Sequence, residues 1–261
     1  MNRLCFAILF LLAFSCSVKE DRTECPCFLS LKVLPQAEHV FPGGAAWCGL
    51  FDGDGSVLTE NSLGRMNVRD TLLAFEVAPR RRISAVVSNH RPQNGAVKAS
   101  EGEEFCALYA FRKELDCLGE EARDSICIQN KEFCTLTVQL SAQAVPLAED
   151  LVLNVSAPFC GTEFPSLRAA RGNYTCRTPF NSAGVAVVRI PRQADVGLLI
   201  SVEKLGRFSS EIDLYTIMDT SDYDWMKESL SDFSVTVNLN SISGHCAVLD
   251  WEVVDSGNRE F

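Results

Sequence analysis

Twelve cysteines, three histidines and 34 acidic residues carry most of the reactive chemistry of this 261-residue chain. Their spacing matches few known sites. Asp52-Gly53-Asp54-Gly55 opens like a calcium loop, whose alternating carboxylates converge on one cation. The pattern then fails: Val57 stands where the loop needs glycine, and Leu63 where it needs glutamate. A tight turn is the expected reading. Asp219, Asp222, Asp224 and Asp232 surround Trp225, where a solvated loop is expected and a calcium site is the alternative. Ser201-Val202-Glu203-Lys204 has the spacing of a serine nucleophile with a lysine base. Its companion Lys-Thr-Gly is absent, and the run is strand-like rather than a helix start. His245 and Cys246 are neighbours, and neighbours on a strand point to opposite faces, so they do not make a thiol–imidazole pair. His39, His90 and His245 lack metal spacing, and Cys25-Pro26-Cys27 has no second cysteine pair at zinc-finger distance. There is no Gly-x-Ser-x-Gly, His-Glu-x-x-His or phosphate loop. The residues therefore predict no enzyme, no metal and no cofactor.

One cysteine stands apart by its context. Arg3 is the only charge ahead of an unbroken apolar run, Leu4 to Phe14. These 11 residues suit the centre of a secretory leader and are too few to span a bilayer. Small Ser15 follows, then Cys16. A cysteine directly after Leu12-Ala13-Phe14-Ser15 resembles the lipobox of bacterial lipoproteins. The enzyme that cuts there needs a small residue before the cut and a thiol after it to take the lipid. Residues 1–15 are thus predicted to be a signal peptide. Cys16 becomes the first mature residue, held to a membrane by acyl chains of the palmitate class. An ordinary signal peptide with a chance cysteine is the alternative.

Bulk properties bound the rest. Without residues 1–15 the chain has room for two domains of about 110–130 residues, or one large β domain. At 47% apolar and 22% charged the composition is globular. The net charge of −10, one unit more negative once Arg3 leaves, argues against a nucleic-acid partner. Arg80-Arg81-Arg82 is the only basic run and is expected to be a solvated turn. Beyond Cys5 and Cys16, ten cysteines remain, an even number that suggests disulfides in an exported chain, with the connectivity open. Cysteine also packs as a small hydrophobe, a role that fits Cys127 and Cys134 in their strand-like runs.

The elements that must position these residues read as strands. Residues 16–24 form a short polar tether. Cys27, Leu29, Leu31 and Val33 then share one face at period two. The apolar run Ala45 to Phe51 turns at Asp52–Gly55 and returns through Ser56-Val57-Leu58, a hairpin. Leu72 to Ala78 and Ile83 to Ser88 look like another pair of strands, and Glu103 to Glu121 has helical character that competes with a strand over Phe105 to Phe111. Cys134, Leu136, Val138 and Leu140 alternate with Thr135, Thr137 and Gln139, the strongest such signal in the chain. Strand-like runs follow at Leu151–Val155, Val185–Val187, Gly197–Val202, Ile212–Ile217, Phe233–Leu239 and Ala247–Val253. Short strands at spacings near ten residues predict an all-β chain of two tandem antiparallel β-sandwich domains, residues 25–131 and 132–261, meeting near Asn130–Glu132. Trp251, in phase with Leu249 and Val253, and Trp47, in phase with Ala45 and Phe51, are expected in the core. Trp225, in its acidic segment, is the candidate exposed aromatic.

Several segments point to one family. The run from Cys16 through Lys19-Glu20-Asp21 to Cys25-Pro26-Cys27, leading at once into an alternating strand, resembles the start of the FimB-type fimbrial anchoring subunits of Bacteroidetes. The Leu50-Phe51-Asp52…Gly55 hairpin is similar to that family's turn. Ile212-Asp213-Leu214, the run Leu230 to Val237, and Leu249-Asp250-Trp251 are similar to its C-terminal strands. The resemblance implies a pair of transthyretin-like sandwiches. It implies an outer-membrane, cell-surface lipoprotein that anchors or nucleates a fimbria, with pilin subunits as partners that join by adding a strand to an open sheet edge. Lys19-Glu20-Asp21 also resembles a surface-export signal of lipoproteins in that phylum, against the simpler reading of a soluble tether. A carbohydrate-binding surface lipoprotein on similar sandwiches is the alternative function.

Overall fold

The computed structural model describes residues 24–34, 46–63, 71–126, 130–195, 197–204, 207–208, 211–240 and 245–254. Residues 1–23, with the expected signal peptide and Cys16, lie outside them, as do His39 and Cys127. No helix among the described residues is long and apolar enough to cross a membrane.

The first half is a two-layer sandwich. One sheet has β1 (Cys27–Val33) at its centre, flanked by β4 (Thr71–Val77) and β8 (Glu121–Ile126). The other runs β3 (Val57–Leu63), β2 (Ala46–Phe51), β5 (Arg81–Ser88), β7 (Tyr109–Cys117) and β9 (Asn130–Lys131). Period-two alternation places Cys27, Leu29, Leu31 and Val33 between the layers, against Cys48, Leu50, Ile83, Ala85 and Val87. The Asp52–Gly55 turn forms as expected. Gly55 takes a φ of +85°, and its N–H donates to the Asp52 carbonyl at 3.0 Å. The residues 72–78 and 83–88 are strands, but β4 and β5 belong to opposite layers rather than to one hairpin. The helical character of 103–121 is not realised. From Glu114 to Cys117 polar and apolar residues alternate, Leu115 and Cys117 inward, which satisfies a strand and not a helix. Nor is the arginine run simply a solvated turn: Arg81 pairs with Asp52, and Arg80 donates to the Pro26 carbonyl at 3.2 Å.

The second half is a second sandwich. One sheet orders β13 (Val185–Pro191), β10 (Phe133–Leu140), β17 (Asp232–Asn240) and β18 (His245–Val254). The other orders β12 (Arg168–Pro179), β11 (Leu151–Glu163), β14 (Leu199–Lys204) and β15 (Arg207–Phe208), with β16 (Ile212–Asp213) also on β14. In β10, Leu136, Val138 and Leu140 are buried while Thr135, Thr137 and Gln139 take the other face. Pairing is antiparallel throughout except for β1 with β8 and β10 with β17, where the first strand of each half runs parallel to a late one. The strand expected over 212–217 stops after two residues. Asp213 caps a helix, α1 (Leu214–Thr220), by accepting from the Thr216 N–H at 3.2 Å, which starts the helix there.

The halves are not insulated. β6 (Ala96–Lys98), from the first half, pairs with residues 161–163 of β11. β2 is buried on both faces: Ala46, Cys48 and Leu50 enter the first core, while Trp47 and Phe51 enter the second with Val86, Phe105 and Leu108. That is why Ala45–Phe51 reads as an unbroken apolar run rather than an alternation. Fold class is thus all-β, two β-sandwiches in series, joined through a shared apolar layer.

Candidate functional site

Most of the sequence motifs disperse. Ser201 and Lys204 lie three apart on β14, hence on opposite faces, and cannot pair. Asp54 is held in its turn by the Ser56 N–H, which lowers its pKa. Asp219, Asp222 and Asp224 are exposed, whereas Asp232 binds Lys131 and the Thr135 N–H. No cluster of three or more metal-binding side chains occurs among the described residues.

The expected disulfides are not seen among the described residues. The eight described cysteines are free thiols, six of them buried. Burial pushes Cys48, Cys117 and Cys134 up to about 12 and Cys106 up to about 11, so these thiols are protonated at neutral pH. Cys27 and Cys117 lie beside one another in the first core. The side chain of Cys246 lies outside the described residues.

Two of the tryptophans exchange the roles expected of them. Trp225 is only 5% exposed. Its segment folds back over β10 and β17, its ring is 4.7 Å from that of Tyr223, and Arg192 donates to its carbonyl. Trp251 is 47% exposed. By register it sits opposite buried Val235, on the inward side of β18, yet stays half exposed. Trp47 is buried as expected.

Two surface features follow. The first is the β18 edge. Among the described residues β18 pairs only with β17, leaving one side of a ten-residue strand without ladder partners. It exposes Leu249, Trp251 and Val254. Natural edge strands are usually blunted by charge or proline. Edge strand β12 follows that rule, presenting Arg168, Arg171 and Arg177. β18 also carries exposed Asp250 and Glu252, but between them its edge presents Leu249 and the Trp251 ring, apolar surface that an added strand can cover.

The second is a cleft of about 690 Å³ where the two halves meet. β7 supplies Phe111 and Arg112, and the connection to the second half supplies Asn130 and Glu132. The β11–β12 hairpin supplies Phe159, Glu163, Arg168 and Arg171, and Arg192, Gln193, Met226 and Glu228 complete it. Its floor is a buried ion pair, Arg192 Nε to Glu132 Oε2 at 3.1 Å. Arg192 also donates to the carbonyls of Trp225, Lys227 and Glu228, which ties the 225–228 segment to the floor. Burial raises the Glu132 pKa to about 7, opposed by Arg192. Beside them Gln193, fully buried, donates to the carbonyls of Phe159 and Pro191, which fixes its amide. Its Oε1 accepts from no described group, a cost of about 1–3 kcal/mol for a buried acceptor. Sequence reasoning missed this cleft, because its residues come from segments up to about a hundred positions apart and form no local motif. The only local trace was the polar step at Asn130–Glu132, read as a boundary.

No protein-family model matches the chain, and no curated protein sequence matches it. Solved structures do share its fold. A Bacteroides thetaiotaomicron protein described as a candidate polysaccharide-binding protein superposes with a TM-score of 0.61 at 10% identity, over 87% of this chain and 95% of that one. The fimbrial anchor protein Mfa2 from Porphyromonas gingivalis gives 0.59 at 13% identity, over 88% and 97%. A candidate adhesin from Bacteroides thetaiotaomicron gives 0.57 at 14%, over 88% and 97%. The all-β architecture of fimbrial and adhesin-type proteins from Bacteroidetes is thus the architecture of this chain. These likenesses do not single out the FimB type among them.

Proposed function

We propose that this protein is an outer-membrane lipoprotein that anchors or nucleates a fimbria. Acyl chains on Cys16 hold it at the cell surface, and a pilin joins it by strand addition. The observation that carries this reading is the β18 edge: a strand that pairs only with β17 among the described residues, whose Trp251 is half exposed beside exposed Leu249. A partner strand laid along it would gain main-chain hydrogen bonds and cover the ring. The fold shared with a fimbrial anchor protein over 88% of this chain and 97% of that one supports the reading, and so does the leader-like run 1–15 directly ahead of Cys16. Position agrees as well. A tether of about nine residues keeps the first sandwich near the membrane and leaves the second free to meet a pilin.

Electron microscopy of cells lacking the gene, with blotting of the culture supernatant for pilin, tests the proposal. Fimbriae shed into the medium or altered in length are the expected result. Fimbriae that stay cell-bound at normal length would overturn it. Restoring the gene with Trp251→Asp should reproduce the deletion while the protein remains folded and membrane-bound.

A further inference from the structure

The cleft between the sandwiches is not used by the anchoring reading, and its chemistry is distinct from that of the β18 edge. The chain as a whole is acidic, with 34 acidic against 24 basic residues. The cleft reverses this balance: five cationic side chains line it against four acidic ones. Two of the cations are unspent. Arg168 and Arg171 have no ion-pair partner among the described residues, and Glu163, directly across from Arg168, makes no ion pair with it. Arg171 lies over the Phe159 ring at 5.4 Å, which holds its guanidinium plane in place. An unpaired, oriented guanidinium is suited to a planar carboxylate, which it can bind through two parallel hydrogen bonds.

The rest of the lining says what carries that carboxylate. Glu163 and Glu228 would repel a dense polyanion such as nucleic acid or polyphosphate. They are good acceptors for hydroxyl groups, and Asn130 offers both donors and an acceptor. Phe111 and Met226 supply apolar surface among these polar groups. A ligand with one negative charge per ring, many hydroxyls and an apolar C–H face satisfies all of them. The volume falls within the usual range for small-molecule sites, and a domain junction is a usual place for one.

We infer that this cleft binds an acidic saccharide, a short glycan bearing a sugar carboxylate, through Arg168 and Arg171. The inference does not depend on the fimbrial role, and its test is read on the purified chain alone.

Titration calorimetry of the detergent-extracted full chain tests it. The probes are trigalacturonate, a hyaluronate tetrasaccharide and sialyllactose, with galactotriose and inorganic tripolyphosphate as controls. At least one carboxylated glycan should bind roughly tenfold or more tighter than galactotriose, and more weakly as salt rises. Arg168→Ala and Arg171→Ala should each weaken that binding roughly tenfold, with unchanged thermal unfolding because both side chains are exposed. Trp251→Asp should leave it intact. No binding of any carboxylated glycan, equal binding of galactotriose, tighter binding of tripolyphosphate, or binding indifferent to both arginine variants would each overturn the assignment.

Discussion

Glu132 shows how one buried carboxyl sets a property of the whole chain. It is 1% exposed, and burial outweighs the attraction of Arg192, so its pKa stands near 7 rather than 4.5. The folded state therefore holds this proton more tightly than the unfolded state does. Its contribution to stability is full below about pH 4.5 and is lost as pH rises through about 7, a change of about 3 kcal/mol. Thermal unfolding followed from about pH 5 to about pH 8 should show this fall, and Glu132→Gln should remove that part of the slope. The adjacent thiols of Cys27 and Cys117 carry a second expectation. If the chain is exported as we propose, they should be the first pair to join, adding about 2–4 kcal/mol. Peptide mapping without reductant would show the linked strands, and two unlinked peptides would refute the pairing. Neither the ion pair nor this thiol pair could be read from the sequence, because each joins positions far apart in the chain. Trp225 and Trp251 were misassigned for a related reason. Periodicity gives the side a residue faces, as it did for Trp251, but not whether another layer covers that side.

At the scale of elements, alternation was the legible signal and strand order was not. β1 and β10 were readable because each has one buried face. β2 defeated alternation because both its faces are buried, and β6 went unnoticed because three residues carry no period. β6 nevertheless decides how the halves join. Gly161 on β11 lies so close to it that a Cβ there would stand 2.0 Å from the Val97 carbonyl oxygen. Gly161→Ala should therefore push β6 off its partner. Amide exchange at Ala96–Lys98 should rise sharply, with a loss of about 1–3 kcal/mol. The two tryptophan-bearing strands should separate stability from assembly. Trp47→Ala should cost about 3–5 kcal/mol, because the ring is buried where the halves meet. Trp251→Asp should change stability little and cost pilin binding instead. Chemical denaturation beside a pilin pull-down reads both. A Trp251→Asp variant that unfolds as readily as Trp47→Ala would assign β18 a purely structural role.

For the whole molecule, the shared apolar layer means that the two sandwiches should not unfold independently. Trp47, Phe51, Phe105 and Leu108 belong to the second core although they come from the first half. Calorimetry of the full chain is expected to give one transition, and residues 132–261 expressed alone should be poorly folded. Two well-separated transitions would contradict this. At the membrane, Cys16→Ala should release the whole protein into the soluble fraction, and mass spectrometry should find the native N-terminus acylated at Cys16. The position of β1 then acquires a mechanical meaning. Tension on a surface filament would reach this protein from one side and be resisted by the lipid on the other, so the tether would pull on Cys27, where β1 begins. β1 is no edge strand that can be peeled away. It lies mid-sheet, locked to β4 along seven residues and to β8 along six, with four inward side chains seated in the core. Drawn out lengthwise, it must shear both ladders at once instead of opening them bond by bond. The load would thus meet a strand held on both sides and seated in the core.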